Sequence, residues 1–186
     1  MFRSSAAPIP SLTDREARQA SEATSTVRKN TKPLLFMDID GVLSLFGFES
    51  DKRPDGVWMN VDGILHLISA SAREHLQRLG AAYQLVWCSG WEEKANEHLL
   101  GTLGLPEPVP YLTFAPVDDV RHWKLASIEE HALHRPLAWV DDAHDDGCHA
   151  WAAERGAPTL LIGTDPAVGL TGAQVGELER WARGLA

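Results

Sequence analysis

Five short runs of almost unbroken apolar character punctuate the chain: LLFMD at 34–38, YQLVWC at 83–88, YLTFA at 111–115, LAWVD at 137–141 and TLLIG at 159–163. Runs this short and this apolar are what parallel strands need when helices cover both of their faces. Helical segments fit between them. Ser71 with Glu74 opens one that carries Ala72, Leu76 and Leu79 on one face, with Gly80 expected to end it. Others are expected over about 91–103, 122–134, 144–155 and 173–183. Alternation of β and α implies an α/β fold: a doubly wound, mainly parallel Rossmann-like sheet with helices on both faces.

The 186 residues suffice for one domain with a real core. Residues 1–31, rich in Ala, Ser, Thr and charge, are expected to form a mobile N-terminal tail, although Thr13 and Glu16 have capping-box spacing for a short helix. Residues 32–186 are then the single α/β domain. A net charge of −9, with no Lys/Arg cluster, argues against nonspecific polyanion binding but not against one phosphate held at a metal. No apolar run is long enough for a membrane span, and the N-terminus lacks the apolar core of a signal peptide. Two cysteines, Cys88 and Cys148, make no disulfide framework, so a reducing, cytoplasmic compartment is expected.

Doubly wound sheets bind ligands beyond the carboxyl ends of their strands. The first strand ends in Asp38 and leads to Asp40 and Gly41; the second leads to Ser89 and Gly90; the fourth ends in Asp141, followed by Asp142. Strand interiors disfavour Asp and Gly, so each of these could merely start a turn. Three strands delivering carboxylates and a hydroxyl to one edge are harder to explain that way.

In order, Asp38-x-Asp40-Gly41-Val42-Leu43, Ser89, Lys124 and Asp141-Asp142 with Asp145 and Asp146 resemble the motifs of the haloacid dehalogenase (HAD)-like hydrolase superfamily, over roughly Leu34 to Gly163. Its members are mostly phosphatases and phosphotransferases that use an aspartyl-phosphate. The string VWCSGWEEKAN further resembles a subgroup that keeps tryptophans around the second motif, similar to domains seen in RNA repair proteins. The resemblance implies a magnesium-dependent phosphatase in which Asp38 is the nucleophile. Asp38 and Asp141 would be metal ligands, joined by the Asp40 backbone carbonyl.

The chemistry suits the residues. Phosphate monoesters resist nucleophiles and need positioning with charge neutralisation; a carboxylate nucleophile splits the reaction into two displacements. Magnesium takes oxygen ligands and needs only one or two carboxylates beside a substrate phosphate. Asp40 can protonate the leaving alkoxide and then take a proton from water. Dehalogenating relatives lack this acid, so it favours phosphoryl transfer. Ser89, with Gly90 and Gly41, is expected to hold the phosphate at a helix start. Lys124 supplies positive charge to it and keeps Asp38 ionised. Lys94 is the rival lysine, but it falls inside the helix after the second motif, where solvent is expected. For the second acid of the fourth motif Asp142, Asp145 and Asp146 are all candidates. Asp142 is favoured, with the other two as charges at a helix start.

Ser89 can serve as a helix N-cap as well as a phosphate donor. His144, Cys148 and His149 invite a zinc reading, but no second ligand pair stands out and a surface or supporting role is favoured. Cys88 is expected in the core, and Trp91 at the edge of the site. The gap after the first motif reads as a β-hairpin flap over about 44–66, with DKRPDG as its turn and Val57, Met59 and Val61 alternating. Neither gap fits an independent cap domain. Phe46, Phe48 and Trp58 could close over a ligand or pack the flap to the core. A catalytically idle member that binds metal or phosphate as an interaction module is the alternative from another class, and a nucleic-acid end-processing phosphatase is a narrower enzymatic one. The expected partner is a phosphorylated substrate, small or macromolecular; the acidic balance weighs against nucleic acid, and oligomerisation is open.

Overall fold

The computed structural model describes residues 32–115 and 122–185. Strands β1 (Leu34–Met37), β5 (Gln84–Trp87), β6 (Leu137–Asp141) and β7 (Thr159–Gly163) form a wholly parallel sheet in the order β5-β1-β6-β7. Chain order runs outward from β1 to β5, then resumes on the other side of β1 with β6. The crevice where strand order reverses is therefore at β1, flanked by the ends of β5 and β6.

Side-chain alternation along the strands divides the core into two layers. Leu35, Met37, Ala138 and Val140 face one side with Leu76 and Leu79 of α1 (Ala72–Ala82), Ala95 and Leu99 of α2 (Lys94–Thr102), and Val175 and Leu178 of α5 (Gly172–Arg183). Leu34, Phe36, Leu137 and Trp139 face the other, with Leu125 and Ile128 of α3 (Leu125–Ala132) and Cys148 of α4 (Asp146–Glu154). A period of two on β1 and β6 thus explains why the strands read as continuous apolar runs: both faces are dry. The fold is α/β, with helices on both faces of the sheet.

A second, antiparallel sheet β2-β4-β3 is built from β2 (Ser44–Leu45), β3 (Gly56–Val61) and β4 (Ile64–Ser69). This is the hairpin flap, but its turn is not DKRPDG. Val61 pairs with Ile64, so the turn is Asp62-Gly63, whose φ angles of 51° and 87° are the left-handed pair of a two-residue hairpin turn. Between β2 and β4 the sequence offers Asp-Gly twice, and the earlier copy, Asp55-Gly56, only leads into β3. Val61 is buried and Met59 partly buried between the exposed Trp58 and Asn60, so the expected alternation holds at this end of β3 and departs only at the exposed Val57.

Two further expectations are corrected. Residues 111–115 do not form a strand: Tyr111 makes an isolated parallel bridge to Trp87, and β5 is the sheet edge. Pro108 and Pro110 remove amide donors just before it, which limits pairing. Helix α1 runs through Gly80 to Ala82 and stops at Tyr83, whose hydroxyl donates to the Leu178 carbonyl at 2.6 Å. Residues 1–31, expected to be a tail, lie outside the described residues. Among those described, no helix is long and apolar enough to cross a membrane.

Candidate active site

The chain leaves β1 through a tight loop that dictates where its two acids point. The Ile39 carbonyl accepts from the amides of Val42, Leu43 and Ser44, and the Gly41 amide donates to the Ser44 carbonyl at 2.8 Å. Gly41 has φ of 72°, and a Cβ there would lie 2.4 Å from Cγ of Asp142. Only glycine fits this position, because the loop after β1 and the carboxylate after β6 pass in contact. Thr164 Oγ1 donates to the Gly41 carbonyl at 2.8 Å and ties the loop to the end of β7.

Asp38, Asp141 and Asp142 each bring one carboxylate oxygen within 4.8 Å of the others, the one such group of potential metal ligands among the described residues. Lys124, just ahead of α3, reaches into the group. Its Nζ lies 2.7 Å from Asp38 Oδ2 and 2.6 Å from Asp141 Oδ2. Lys124, Asp38 and Asp141 are all buried. Asp38 Oδ1 also accepts from the Ile39 amide at 2.7 Å. Asp141 accepts from Trp139 Nε1 at 3.0 Å and from the Ala143 amide at 3.0 Å.

Burial pushes the Asp38 carboxyl up from 3.8 to about 6, against the pull of Lys124, while the charge of Asp141 adds to the rise. Burial also opposes the charge on Lys124, but Asp38 and Asp141 together outweigh it and hold its pKa above the ordinary value. Asp142 is raised by burial and by Asp141. Three carboxylates against one ammonium leave negative charge uncompensated in a buried pocket. An all-oxygen set with that excess fits a hard divalent cation such as Mg²⁺, and it offers no sulfur or imidazole for zinc.

Asp40 points elsewhere. Its Oδ2 accepts from Trp91 Nε1 at 2.8 Å, and its Oδ1 lies 3.4 Å from Nδ1 of His66 on the flap. Ser89 is buried just after β5, beside Gly90; its Oγ is 3.5 Å from the Trp91 amide, at the limit of a hydrogen bond, and α2 begins only at Lys94, so Ser89 does not cap it. Gly90 faces Trp123, which is 42% exposed at the rim. Glu92 takes a left-handed φ of 47°, and its Oε1 accepts from the Phe114 amide at 3.1 Å. That local strain turns the chain sharply after Trp91.

The remaining candidates are set apart from this group. Lys94 pairs with Asp62 at the exposed tip of the hairpin. Asp145 caps α4, its Oδ1 accepting from the Cys148 amide at 2.8 Å, and Asp146 lies in the first turn. Cys88 and Cys148 are buried, and burial raises both thiols. His144 packs edge-on against Trp139 with its ring nitrogens unpaired, and burial lowers its pKa to about 4. Phe46 and Trp58 are half exposed. His66 and Trp139 were not singled out from sequence. His66 becomes visible only once β4 is placed in register with Met59, and the Trp139 indole only once alternation on β6 is known.

Comparison with curated proteins finds no match for the chain. Residues 34–175 match the family model of the HAD domain in Swiss Army Knife RNA repair proteins. That match covers most of the chain, including β1 to β7 and the whole carboxylate cluster, so the chain belongs to this HAD-like hydrolase family.

Proposed function

We propose that the protein is a magnesium-dependent phosphomonoester hydrolase that works through an aspartyl-phosphate on Asp38, with residues 32–186 as its catalytic domain. The observation that carries this reading is the buried Asp38–Lys124–Asp141 cluster with Asp142 beside it, set at the strand-order reversal. Asp38 attacks phosphorus as its Oδ–P bond forms and the ester P–O bond breaks. Asp40 gives a proton to the departing oxygen. Water then attacks the aspartyl-phosphate and loses a proton to Asp40, which frees phosphate and restores Asp38. Lys124 keeps Asp38 ionised near neutral pH and offsets charge on the phosphoryl oxygens. Ser89 and the amides around Gly90 and Gly41 orient those oxygens.

Asp38, Asp141, Asp142 and the Asp40 carbonyl would hold Mg²⁺, which when bound neutralises phosphoryl charge. The match to a domain of RNA repair proteins favours phosphorylated nucleic-acid ends as substrates. An idle binding module would have no need for a buried lysine shared by two carboxylates. The test is phosphate release from small phosphomonoesters and from 5′- and 3′-phosphorylated oligonucleotides, with Mg²⁺, with EDTA, and with Asp38→Asn. Release that requires both the metal and Asp38 is expected. Turnover that survives Asp38→Asn would overturn the mechanism.

A further inference from the structure

Asp40 is hydrogen-bonded on one side by Trp91 and flanked on the other by His66, two groups that belong to different parts of the fold. Trp91 Nε1 donates to Oδ2 at 2.8 Å. His66, carried by β4 of the flap, brings Nδ1 to 3.4 Å from Oδ1 and to 3.0 Å from Ser44 Oγ. The two rings also pack on each other, edge to face, with centroids 4.6 Å apart at 70°. His98 of α2 meets Trp91 edge-on from 6.4 Å. The Asp40 side chain is nevertheless 46% exposed, so the clamp leaves it open to the crevice.

An indole N–H only donates. The Trp91 bond takes one acceptor site of Oδ2 and leaves Oδ1, with no hydrogen bond of its own among the described residues, as the oxygen better placed to exchange a proton with the substrate. We propose that Trp91 and His66 are positioning residues for proton transfer, fixing the carboxylate plane of Asp40 so that Oδ1 faces the leaving oxygen. This inference rests on the phosphatase reading. It also gives the flap a role: the Lys94–Asp62 pair joins the hairpin tip to the helix that follows Trp91, so a seated hairpin completes the clamp.

In the first half-reaction the proton leaves Asp40 Oδ1 for the ester oxygen as the P–O bond breaks; in the second, Oδ1 takes a proton from the attacking water. A nitrophenolate departs readily without protonation, whereas an alkoxide does not. The decisive experiment therefore compares kcat/KM, which reports steps up to departure of the first product, for an alkyl phosphate and for p-nitrophenyl phosphate. Trp91→Phe keeps a ring to pack against His66 but removes the donor. The aryl-to-alkyl ratio of kcat/KM is expected to rise at least about tenfold, a fraction of what general acid catalysis supplies. His66→Ala should raise the ratio in the same direction, and His66→Asn, which keeps a polar group able to bond Ser44 Oγ near the Nδ1 position, should restore it. Thermal denaturation of each variant confirms that the fold persists. Equal losses on both substrates, or no loss, would overturn the clamp and leave the phosphatase reading standing. Failure of that reading is separately visible as Asp38→Asn retaining activity on both.

Discussion

Asp38 is the residue at which stability and activity should oppose each other most directly. Its carboxyl, ordinarily near 3.8, is pushed up to about 6 by burial. In the folded protein without metal the ionised form is therefore disfavoured, by an amount that corresponds to roughly 3 kcal/mol. Between those two pH values the folded chain holds a proton that the unfolded chain has lost. Stability contributed by this group consequently falls as pH rises from 3.8 to 6, and the loss is complete above that window. Asp38→Asn removes the charge, at a fixed cost. Asp38 accepts from the Ile39 amide on one oxygen and from Lys124 on the other. An asparagine must turn its NH₂ toward one of those donors, which costs about 1–3 kcal/mol at any pH.

Urea denaturation in EDTA separates the two effects. At pH 4, where Asp38 is neutral in the folded wild type, the variant should be the less stable protein. At pH 7.5 the buried charge is present only in the wild type, and relative to pH 4 the balance should move toward the variant by roughly 2 kcal/mol. The difference between the two differences is the decisive quantity, because the cost of mispairing cancels in it. A stability difference that is the same at both pH values would refute the claim that burial holds the Asp38 carboxylate at a disadvantage. Adding Mg²⁺ at pH 7.5 should then stabilise the wild type more than the variant, since binding to the folded state adds to stability by mass action.

Two further substitutions test the site. Lys124→Met should leave Asp38 and Asp141 facing each other without compensation. A loss of about 3–5 kcal/mol is expected at pH 7.5, smaller at pH 5 where Asp38 protonates, and unchanged thermal stability would refute the role of the shared ammonium. Gly41→Ala combines a left-handed φ of 72° with a Cβ 2.4 Å from Asp142 Cγ, whereas Gly47→Ala combines φ of 77° with open space. Both should cost about 1–3 kcal/mol of backbone strain, but only Gly41→Ala should weaken Mg²⁺ binding measured by calorimetry, by about tenfold or more. Equal metal affinity in the two variants would mean that Asp142 is not a ligand.

How much of this was legible follows from which physical signal each element carries. The parallel strands are continuous apolar runs because both faces are buried, and a carboxylate that ends such a run must emerge at the carboxyl edge. Placing Asp38, Ser89 and Asp141 at one edge therefore needed no tertiary knowledge. The run at 111–115 has the same composition, yet hydrogen-bond donors, not hydrophobicity, decide whether an edge strand extends. Prolines 108 and 110 leave little for β5 to pair with there. The hairpin turn is ambiguous in sequence because two of the chain's Asp-Gly pairs fall within the flap, and only pairing register selects between them. The distinction between Asp142 and Asp145 also lies in local geometry. Asp145 has an amide three residues on to cap, whereas Asp142 is pressed against Gly41.

Least legible from sequence is the way His66 is brought to Asp40 and Trp91. Asp40 precedes the flap, His66 lies on the flap's central strand β4, and Trp91 follows β5, so their meeting depends on two separate sheets. The loop after β1 supplies the link, because it both aims Asp40 and pairs Ser44 of β2 with Ile68 of β4. Any displacement of β4 therefore shifts His66 relative to Asp40, while Asp38, held by Lys124 and the Ile39 amide, stays in place. Asp38 and Asp40, the proposed nucleophile and proton donor, are thus mounted on different supports. Seating of the flap should accordingly govern substrates with poor leaving groups more strongly than substrates whose leaving group departs unaided.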